Sequence, residues 1–463
     1  HILALHEVGS NNPDGVEIKD NKNADGIPVD SVPFHPYYTI YHDVPGIMVF
    51  LFAFCAVLFF APEMGGYFLE IANFQEANPL KTPEHVPPVW YYTPFYSMLR
   101  SVTYPLFGID AKFWGMLVMF GAIAILFVLP WLDKSPVRSM RYKGKYSRVA
   151  LLVFVVAFLI LGVLGTQTVS PAKTLLAQIM TLAYFCYFFA MPWYTKIEKA
   201  SEPPQRLTGR FITIPQLVGV LFLLTILVAV PLMLTNSAHA AEASKVPLQH
   251  VDTDFKDKES LQRGMATYMN YCAGCHELGY ARYSRTADDI NIPHEVMAAN
   301  VIFDDTLIGD LIENSMDPEN AKAWFGAAPP DLTLIGRVRS PAWLYTYMKS
   351  FYEDPSRPLG ANNTLYANVG MPNVLVNLQG LVSCDDHGTN DPTRCELTRV
   401  EGTGSLDELE FDSVIADLVN FLYYIGEPSR SRRQEIGVWV LAFLALMIVL
   451  TTLIGREFGK DYH

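Results

Sequence analysis

The sequence predicts a mainly α-helical protein that is largely embedded in a membrane and carries a polar helical domain outside it. Three observations predict this fold class: 51% of the 463 residues are hydrophobic, the mean hydropathy is +0.19, and long apolar segments recur along the chain. A helix needs about 20 apolar residues to cross a bilayer core. The predicted spanning segments are 44–62, 113–132, 149–165, 174–194, 211–234 and 436–454.

The basic residues between these segments predict which of their ends face the cytoplasm. Six Lys and Arg residues lie between the second and third segments, and four lie between the fourth and fifth. Alternation then places residues 63–112, and the long stretch before the last segment, on the outer side. Arg430, Arg432 and Arg433 precede the last segment and disagree with this assignment. We prefer the longer pattern.

Residues 241–435 carry the acidic excess of the chain. They contain 16 Lys and Arg and 30 Asp and Glu, a local charge of −14 against −13 for the whole chain. Such a field attracts a basic protein partner and argues against nucleic acid, although a merely solvated acidic surface is the alternative. Apolar residues at helical spacing predict a helix over residues 412–424 of this stretch.

The outer domain is organised around Cys272-Ala273-Gly274-Cys275-His276. Two thiols three residues apart, followed at once by an imidazole, can attach a haem through two thioether bonds and supply one axial ligand of its iron. A zinc half-site would need a second ligand pair at a matching spacing, which the sequence does not show. A thioredoxin-like redox pair does not require the adjacent histidine. The motif therefore predicts covalently bound haem c.

A methionine thioether opposite the histidine would raise the reduction potential of such a haem. Chemistry alone leaves six candidates, although most methionines fill protein cores. They are Met265, Met269, Met297, Met316, Met348 and Met371.

The remaining four cysteines divide by their surroundings. Cys55 and Cys186 lie in apolar runs, which predicts inert core thiols. Cys384 and Cys395 lie in a polar loop of the acidic stretch, where an oxidising compartment would let them form a disulfide.

The fifth apolar segment has the parts of a secretory signal in the middle of the chain. Arg206 and Arg210 precede it, and Ala238-His239-Ala240 follows it. This pattern predicts cleavage after Ala240, with an uncut spanning helix as the alternative. The chain begins with His rather than Met, and we expect it to be a fragment or a processed product.

Four runs in the amino-terminal part carry a family resemblance: LHEVGSNNPDG, PFHPYYTI, APE and VPPVWYYTPFYSMLRS. Together they resemble the carboxy-terminal half of cytochrome b of the quinol:cytochrome c oxidoreductase (cytochrome bc1) complex, up to about Lys199. The resemblance implies that His1 is a ligand of the inner b haem. It also implies that His6 and Asp43 lie at the inner quinone site, with His42 as the alternative to Asp43.

The loop Pro88-Val89-Trp90-Tyr91 corresponds to the outer quinol site of this family, where Pro-Glu-Trp-Tyr is common. The resemblance implies that Tyr91, Tyr96 and Arg100 lie at or near that site. Quinol oxidation releases protons, and Val89 cannot accept one. Tyr91, His85 and Glu84 are the candidate acceptors. From the residues alone, the aromatic run 90–96 indicates an interfacial belt, whereas the resemblance favours a quinone pocket.

Three further runs surround or follow the haem motif: SLQRGMATYMNYCAGCHELGYARYSR, AKAWFGAAPPDLTLIGRVRSPAWLYTYMKSFYEDPSRP and NVGMPNVL. They resemble cytochrome c1 over nearly the whole third part of the chain. The resemblance implies that Met371 is the sixth iron ligand and that Arg339 lies near a haem propionate, with Arg337 two positions earlier. It also implies that Pro329-Pro330 forms a turn against the haem.

The resemblance implies four parts. Residues 1–200 form the cytochrome b part, 201–240 a linker with the signal-like helix, 241–435 the haem c domain, and 436–463 a membrane anchor with a tail. The implied partners are a Rieske iron-sulfur protein, the amino-terminal half of cytochrome b, which shares haem b, and a cytochrome c acceptor. The implied setting is a dimeric complex in the bacterial inner membrane, with the haem c domain in the periplasm.

The function implied by the resemblance is quinol oxidation coupled to proton translocation, with the c haem accepting electrons from the Rieske protein and reducing cytochrome c. Two alternatives stay open. One is a membrane-anchored c-type electron carrier without quinol chemistry, and the other is a structural anchor or transport unit to which a cytochrome is fused.

Overall fold

The structure is a computed structural model that describes residues 3, 12–31, 33–64, 69, 71–75, 77, 86–105, 107–205, 246–303, 305–385 and 392–460. It is mainly α-helical, as predicted. The chain divides into two units, one of residues 1–70, 83–238 and 439–463 and the other of residues 71–82 and 239–438. The predicted segment 211–234 and the predicted cleavage site after Ala240 lie outside the described residues.

The first unit is built from apolar helices. They are α1 (Val44–Phe60), α2 (Thr93–Ser101), α3 (Ala111–Ala124), α4 (Lys145–Gly165), α5 (Pro171–Phe189) and α6 (Met191–Ile197). A π-helical segment, Phe34–Asp43, leads into α1, and a 3-10 turn, Ile125–Val128, carries α3 into a last helical turn, Leu129–Leu132. This unit is the predicted bundle of membrane helices.

Four helices of the described chain are long and apolar enough to cross a membrane: Ala111–Leu132, Lys145–Gly165, Pro171–Phe189 and Arg430–Phe458. The predicted segment 44–62 is the 17-residue helix α1, which ends before Ala61. The predicted segment 174–194 is interrupted at Ala190. Pro192 has no N–H to continue the helix, so the chain starts α6 with this proline in its first turn.

The short helix α2 packs against the longer helices through a face of mostly small side chains. Thr93, Ser97, Met98 and Ser101 are buried, and their spacing places them on one side of the helix. Gly165, the last residue of α4, lies so close to α2 that a methyl group there would clash with the backbone of Thr93. Glycine at this position therefore permits the close approach of α2 and α4.

The second unit contains eight helices among its described residues. They are α7 (Lys258–Tyr271), α8 (Tyr283–Ile290), α9 (His294–Asn300), α10 (Pro318–Phe325), α11 (Ile335–Val338), α12 (Pro341–Lys349), α13 (Val376–Gln379) and α14 (Glu408–Gly426). The last helix of the chain, α15 (Arg430–Gly459), follows α14. The predicted helix 412–424 is longer at both ends in the structure, and a capping box of Asp407 and Glu410 accounts for its earlier start.

Three antiparallel two-stranded sheets complete this unit. β1 (Leu278–Arg282) pairs with β2 (Leu311–Ile312), β3 (Phe351–Glu353) with β4 (Ala361–Asn363), and β5 (Val382–Asp385) with β6 (Glu396–Arg399). In the last pair Cys384 lies opposite Leu397, and a disulfide joins Cys384 to Cys395 with 5.3 Å between the Cα atoms. The predicted disulfide is confirmed.

The prediction of two core thiols is wrong for Cys186, which is exposed on α5, while Cys55 is half-buried. An apolar run in a membrane helix faces lipid as readily as protein, so apolar neighbours in sequence do not establish burial in a protein core.

The core of the second unit lies between α7 and α14. Leu261, Met265 and Tyr268 on α7 pack with Leu418 and Phe421 on α14. Gly264 lies at the crossing, where a methyl group would clash with the carbonyl oxygen of Asp417. Two hydrogen bonds of 2.6 and 3.1 Å join the Arg263 guanidinium to the Asp417 carboxylate beside this crossing.

The arginines that precede the last apolar segment are held by partners in the second unit. Arg430 lies over the rings of Phe255 and Tyr423, and Arg433 forms a 2.5 Å ion pair with Glu427. These contacts give the two cations local partners.

Candidate functional site

The haem motif forms the turn that ends α7. The amides of Cys272 and Ala273 donate to the carbonyl of Tyr268 at 2.8 and 2.9 Å, and the amides of Cys275 and His276 donate to the carbonyl of Cys272 at 3.0 and 2.9 Å. Both thiols are free; Cys272 is buried and Cys275 half-buried. One compact turn therefore holds two thiols and an imidazole.

A hydrogen bond of 2.7 Å orients the imidazole of His276 towards the carbonyl oxygen of Pro330 through Nδ1. A carbonyl oxygen only accepts, so the ring proton is on Nδ1 and the lone pair is on Nε2. Burial lowers the pKa of His276 and so favours the neutral ring, although the hydrogen bond to Pro330 acts in the opposite direction. A neutral imidazole with its lone pair on Nε2 is the form that binds iron.

The segment 330–333 is fastened to the motif by further bonds. The Asp331 carboxylate accepts from the amides of Gly279 at 2.7 Å and Thr333 at 2.6 Å, and the amide of Leu332 donates to the carbonyl of Glu277 at 2.9 Å. On the other side, the Tyr268 hydroxyl donates to the carbonyl of His276 at 2.7 Å. The backbone that carries the histidine is thus fixed from two directions.

Met371 lies in the loop after β4, and its sulfur accepts a hydrogen bond from the hydroxyl of Tyr347 at 3.6 Å. Two of the other methionine candidates, Met265 and Met297, are 1% and 0% exposed within the core that contains Cys272. Close packing on all sides argues against these two sulfurs as ligands.

Arg339, which the resemblance places near a haem propionate, and the nearby Arg337 contact different partners. The Arg339 guanidinium lies 4.8 Å from the ring centre of Trp343, and Trp343 stacks on Tyr347 with ring centres 4.9 Å apart. The Arg337 guanidinium instead lies 4.0 Å from the ring centre of Phe74. Arg339 therefore belongs to the stack that ends at Met371.

The donor set fits a c-type haem. Two free thiols at the attachment spacing, a histidine with Nε2 prepared and a thioether are the groups that hold one, and a cation suits its propionates. Burial lowers the pKa of Arg339, and a guanidinium remains charged under such conditions. A desolvated cation of this kind gains from an anionic neighbour such as a carboxylate.

The predicted quinone-site residues occupy separate places in the first unit. Val89 and Tyr91 lie in the turn before α2, where they are 48% and 55% exposed. Tyr96 lies on α2, with the Arg100 guanidinium 4.5 Å from its ring centre. Asp43 has an exposed side chain at the end of the π-helical segment.

Arg100 fixes the position of α2 beside the end of α4. Its guanidinium donates to the carbonyl oxygens of Leu164 at 2.7 Å and Gln167 at 3.1 Å. The predicted residues His1, His6, Glu84 and His85, and the side chain of His42, lie outside the described part of the chain.

Tyr347 and Trp343 were not predicted as site residues. A signal was present, because Trp343 and Tyr347 are four positions apart, which places two aromatic rings on one face of a helix. Tyr268 was missed as well, and no sequence signal marks its bond to the carbonyl of His276.

Two protein families match the chain. The family described as Cytochrome C1 family matches residues 249–462, and the family described as Cytochrome b(C-terminal)/b6/petD matches residues 76–185. Cytochrome c1 of Allochromatium vinosum is 43% identical over 242 residues, which cover 51% of this chain and 99% of that protein. The chain belongs to the cytochrome c1 family. The resemblance stated from the sequence is confirmed, and the chain is a fusion of a cytochrome b carboxy-terminal segment with cytochrome c1.

Further relatives support the fusion. Cytochrome b of Allochromatium vinosum is 56% identical over 213 residues, which cover 45% of this chain and 50% of that protein. Cytochrome b/c1 of Bradyrhizobium diazoefficiens is 28% identical over 512 residues, which cover 100% of this chain and 69% of that protein. The chain spans half the length of the cytochrome b that it matches. Membership of these cytochrome families, together with its apolar helices, makes it a membrane-bound haem protein.

Proposed function

We propose that this fused cytochrome b/c1 chain is a subunit of a respiratory quinol:cytochrome c oxidoreductase. In this proposal quinol is oxidised at the cytochrome b part, with proton translocation, and the c1 domain accepts electrons from a Rieske protein and reduces a cytochrome c. The observation that carries the c1 part is the bond from His276 Nδ1 to the Pro330 carbonyl beside two free thiols. The family match over residues 76–185 supports the quinol part.

The residues of the c1 domain have distinct tasks in this proposal. Bound haem supplies a one-electron couple. Cys272 and Cys275 would attach it, His276 Nε2 and the Met371 sulfur would bind its iron, and the Arg339 guanidinium would pair with a propionate. The buried side chain of Cys272 and the core around it keep water away from this side of the site. Exclusion of water and thioether ligation both favour a high reduction potential.

The acidic charge of residues 241–435 supports docking of a basic cytochrome c. Opposite charges speed the encounter of two proteins, and salt screens this attraction beyond about 10 Å. We therefore propose that the association rate with the acceptor falls as ionic strength rises.

The basic loop between α3 and α4 supports a membrane orientation for the chain. Asp14 accepts from Arg141 and from the hydroxyl of Tyr142, each at 2.9 Å. These bonds support residues 12–17 and the basic loop lying on the same, cytoplasmic side. We propose that the chain is in the bacterial inner membrane, with its haem c domain in the periplasm and a dimeric assembly around it.

The second candidate function is an anchored electron carrier without quinol chemistry. Val89 favours it, because an apolar exposed side chain replaces the carboxylate that is common in the family loop. If quinol is oxidised, another group must accept its proton, and Tyr91, His85 and Glu84 are the candidates. Haem b, shared with the amino-terminal half of cytochrome b, distinguishes the two functions, because only the oxidoreductase needs it. On the proposed function His1 is a haem b ligand, and His6 and Asp43 serve the inner quinone site.

A quinol-reduction experiment on the intact complex in its membranes separates the candidates. A short-chain quinol is added, and the b bands, the c band and the reduction of added cytochrome c are followed. We expect the wild type to reduce cytochrome c. We expect Met371→Leu to slow that step at least tenfold while quinol still reduces haem b, and Met316→Leu to behave as the wild type. A c band without quinol-dependent reduction of any b band would favour the carrier.

A further inference from the structure

The hydroxyl of Tyr347 is the polar group that the structure aims at the proposed methionine ligand. It lies 3.6 Å from the sulfur of Met371, with the O–H as donor and the thioether as acceptor. Sulfur forms longer hydrogen bonds than oxygen, and a thioether is a weak acceptor. A thioether sulfur has two lone pairs. One can bind a metal ion while the other accepts this hydrogen bond.

The ring of Tyr347 is held by two aromatic neighbours. It is stacked on Trp343, with ring planes 11° apart, and meets Phe351 edge-on with ring centres 5.2 Å apart. The Arg339 guanidinium also lies against Trp343, 4.8 Å from its ring centre. Trp343 and Tyr347 lie four residues apart on one face of α12, whereas Arg339 precedes this helix and Phe351 begins β3. These ring contacts therefore fix the position of the Tyr347 hydroxyl.

The loop that carries Met371 is tied to the same helix. Asn363, which is completely buried, donates from Nδ2 to the carbonyl of Tyr347 at 2.8 Å. The Oδ1 of Asn363 accepts from the amides of Leu365 and Tyr366 at 2.9 and 3.0 Å, which turns the chain into the loop. Tyr347 and Met371 also pack on one apolar cluster that includes Val369.

We propose that Tyr347 is a positioning residue for Met371, whose thioether it orients and whose electron donation it reduces through the O–H···S hydrogen bond. The inference rests on the proposed function, because it takes Met371 to be the sixth iron ligand. A hydrogen bond to the free lone pair withdraws electron density from the sulfur. Weaker donation disfavours the ferric state relative to the ferrous state, so the bond raises the reduction potential.

The alternative role for Tyr347 is packing alone, and two substitutions separate the roles. Tyr347→Phe removes the hydroxyl and keeps the ring between Trp343 and Phe351. Tyr347→Leu removes both. The matched control is Tyr345→Phe, because Tyr345 lies on the same helix and packs in a different cluster, with Leu344 and Phe411.

The experiment is a redox titration of the c haem in the full membrane-extracted complex, combined with the near-infrared sulfur-to-iron charge-transfer band of the ferric protein. We expect Tyr347→Phe to lower the midpoint potential and to shift or weaken the band, with covalent haem content unchanged. We expect Tyr345→Phe to match the wild type in both. We also expect ferric Tyr347→Phe to bind added imidazole more readily than the wild type, because its methionine is held less firmly.

The outcomes distinguish this inference from the proposed function. If the wild type lacks the charge-transfer band, Met371 is not the ligand, and both the ligand assignment and this inference fall. If the wild type has the band and Tyr347→Phe leaves the potential and the band unchanged, only the role of Tyr347 is overturned. The same holds if Tyr345→Phe shifts the potential as much as Tyr347→Phe does.

Discussion

His276 and Pro330 are separated by 54 positions in sequence and joined by a 2.7 Å hydrogen bond from the imidazole Nδ1 to the carbonyl oxygen. Asp331 holds the next residues in place through the amides of Gly279 and Thr333. The orientation of the proposed iron ligand therefore depends on a loop that is distant in sequence.

Removal of the Asp331 carboxylate should loosen this loop. Asp331→Ala leaves the amides of Gly279 and Thr333 without their acceptor, at a cost of about 1–3 kcal/mol in the free energy of unfolding for each group that stays buried. Guanidinium unfolding of the haem-loaded protein measures it. The matched control is Asp252→Ala, because the Asp252 side chain is fully exposed. Equal unfolding midpoints for the two variants would contradict the role of Asp331.

The crossing of α7 and α14 should not tolerate a larger residue at its closest point. Gly264→Ala places a methyl group against the carbonyl oxygen of Asp417, and the overpacking should destabilise the domain by about 3 kcal/mol. Gly309→Ala is the control, since nothing lies within 4 Å of a methyl group there. Melting temperature and the yield of haem-containing protein measure both variants. A Gly264→Ala variant as stable as Gly309→Ala would show that the helices pack differently.

The haem motif and most helices follow from the sequence, because they depend on neighbours within a few positions. Cys272, Cys275 and His276 lie on one turn, and long apolar runs form helices because lipid offers their backbone groups no other hydrogen-bond partner. The limits appear where distant segments meet. The bond from Tyr268 to the His276 carbonyl, and the divergence of Arg337 from Arg339, depend on how α7, α11 and α12 pack, which no local pattern encodes.

Helix ends were predicted less well for a related reason. Hydropathy detects the part of a helix that suits lipid, while hydrogen-bonded caps and polar turns set its limits. The last helix begins at Arg430 rather than at residue 436, because Arg430 and Arg433 find partners in Tyr423 and Glu427. Burial of Cys186 was wrongly predicted because apolar surface in a membrane helix can face lipid.

Alkaline pH should destabilise the c1 domain partly through Tyr424. Burial, reinforced by Asp289, raises the pKa of Tyr424, whose hydroxyl donates to Asp289 at 2.9 Å. The unfolded chain releases this proton near pH 10, below the pKa in the folded state. The contribution is therefore complete below about pH 10 and is lost as pH rises through the folded pKa.

The variant Tyr424→Phe tests this sign. Between pH 10 and the alkaline limit, its free energy of unfolding should fall less steeply with pH than that of the wild type. At pH 7 it should be less stable by about 1 kcal/mol, because one hydrogen bond is lost. Tyr280→Phe, at an exposed position, should keep the wild-type slope. Identical slopes for Tyr424→Phe and the wild type would exclude Tyr424 as the group responsible.

The disulfide between Cys384 and Cys395 should stabilise the β5–β6 hairpin without taking part in electron transfer. The double variant Cys384→Ser with Cys395→Ser removes this constraint from the unfolded chain. Its free energy of unfolding should therefore be lower by about 2–4 kcal/mol. Guanidinium unfolding, with and without reductant, measures the loss. A wild type whose midpoint does not change on reduction would show that the bond contributes nothing.

The most direct test of the central claim is a reduced-minus-oxidised visible spectrum of the full complex purified from membranes, with haem staining of its denatured chains. We predict b bands and a c band, with covalent haem on the chain that carries Cys272 and Cys275, and loss of that stain in Cys272→Ala with Cys275→Ala. A wild-type chain without covalent haem would contradict the assignment of the c1 centre. A c band without any b band would contradict quinol oxidation by this protein.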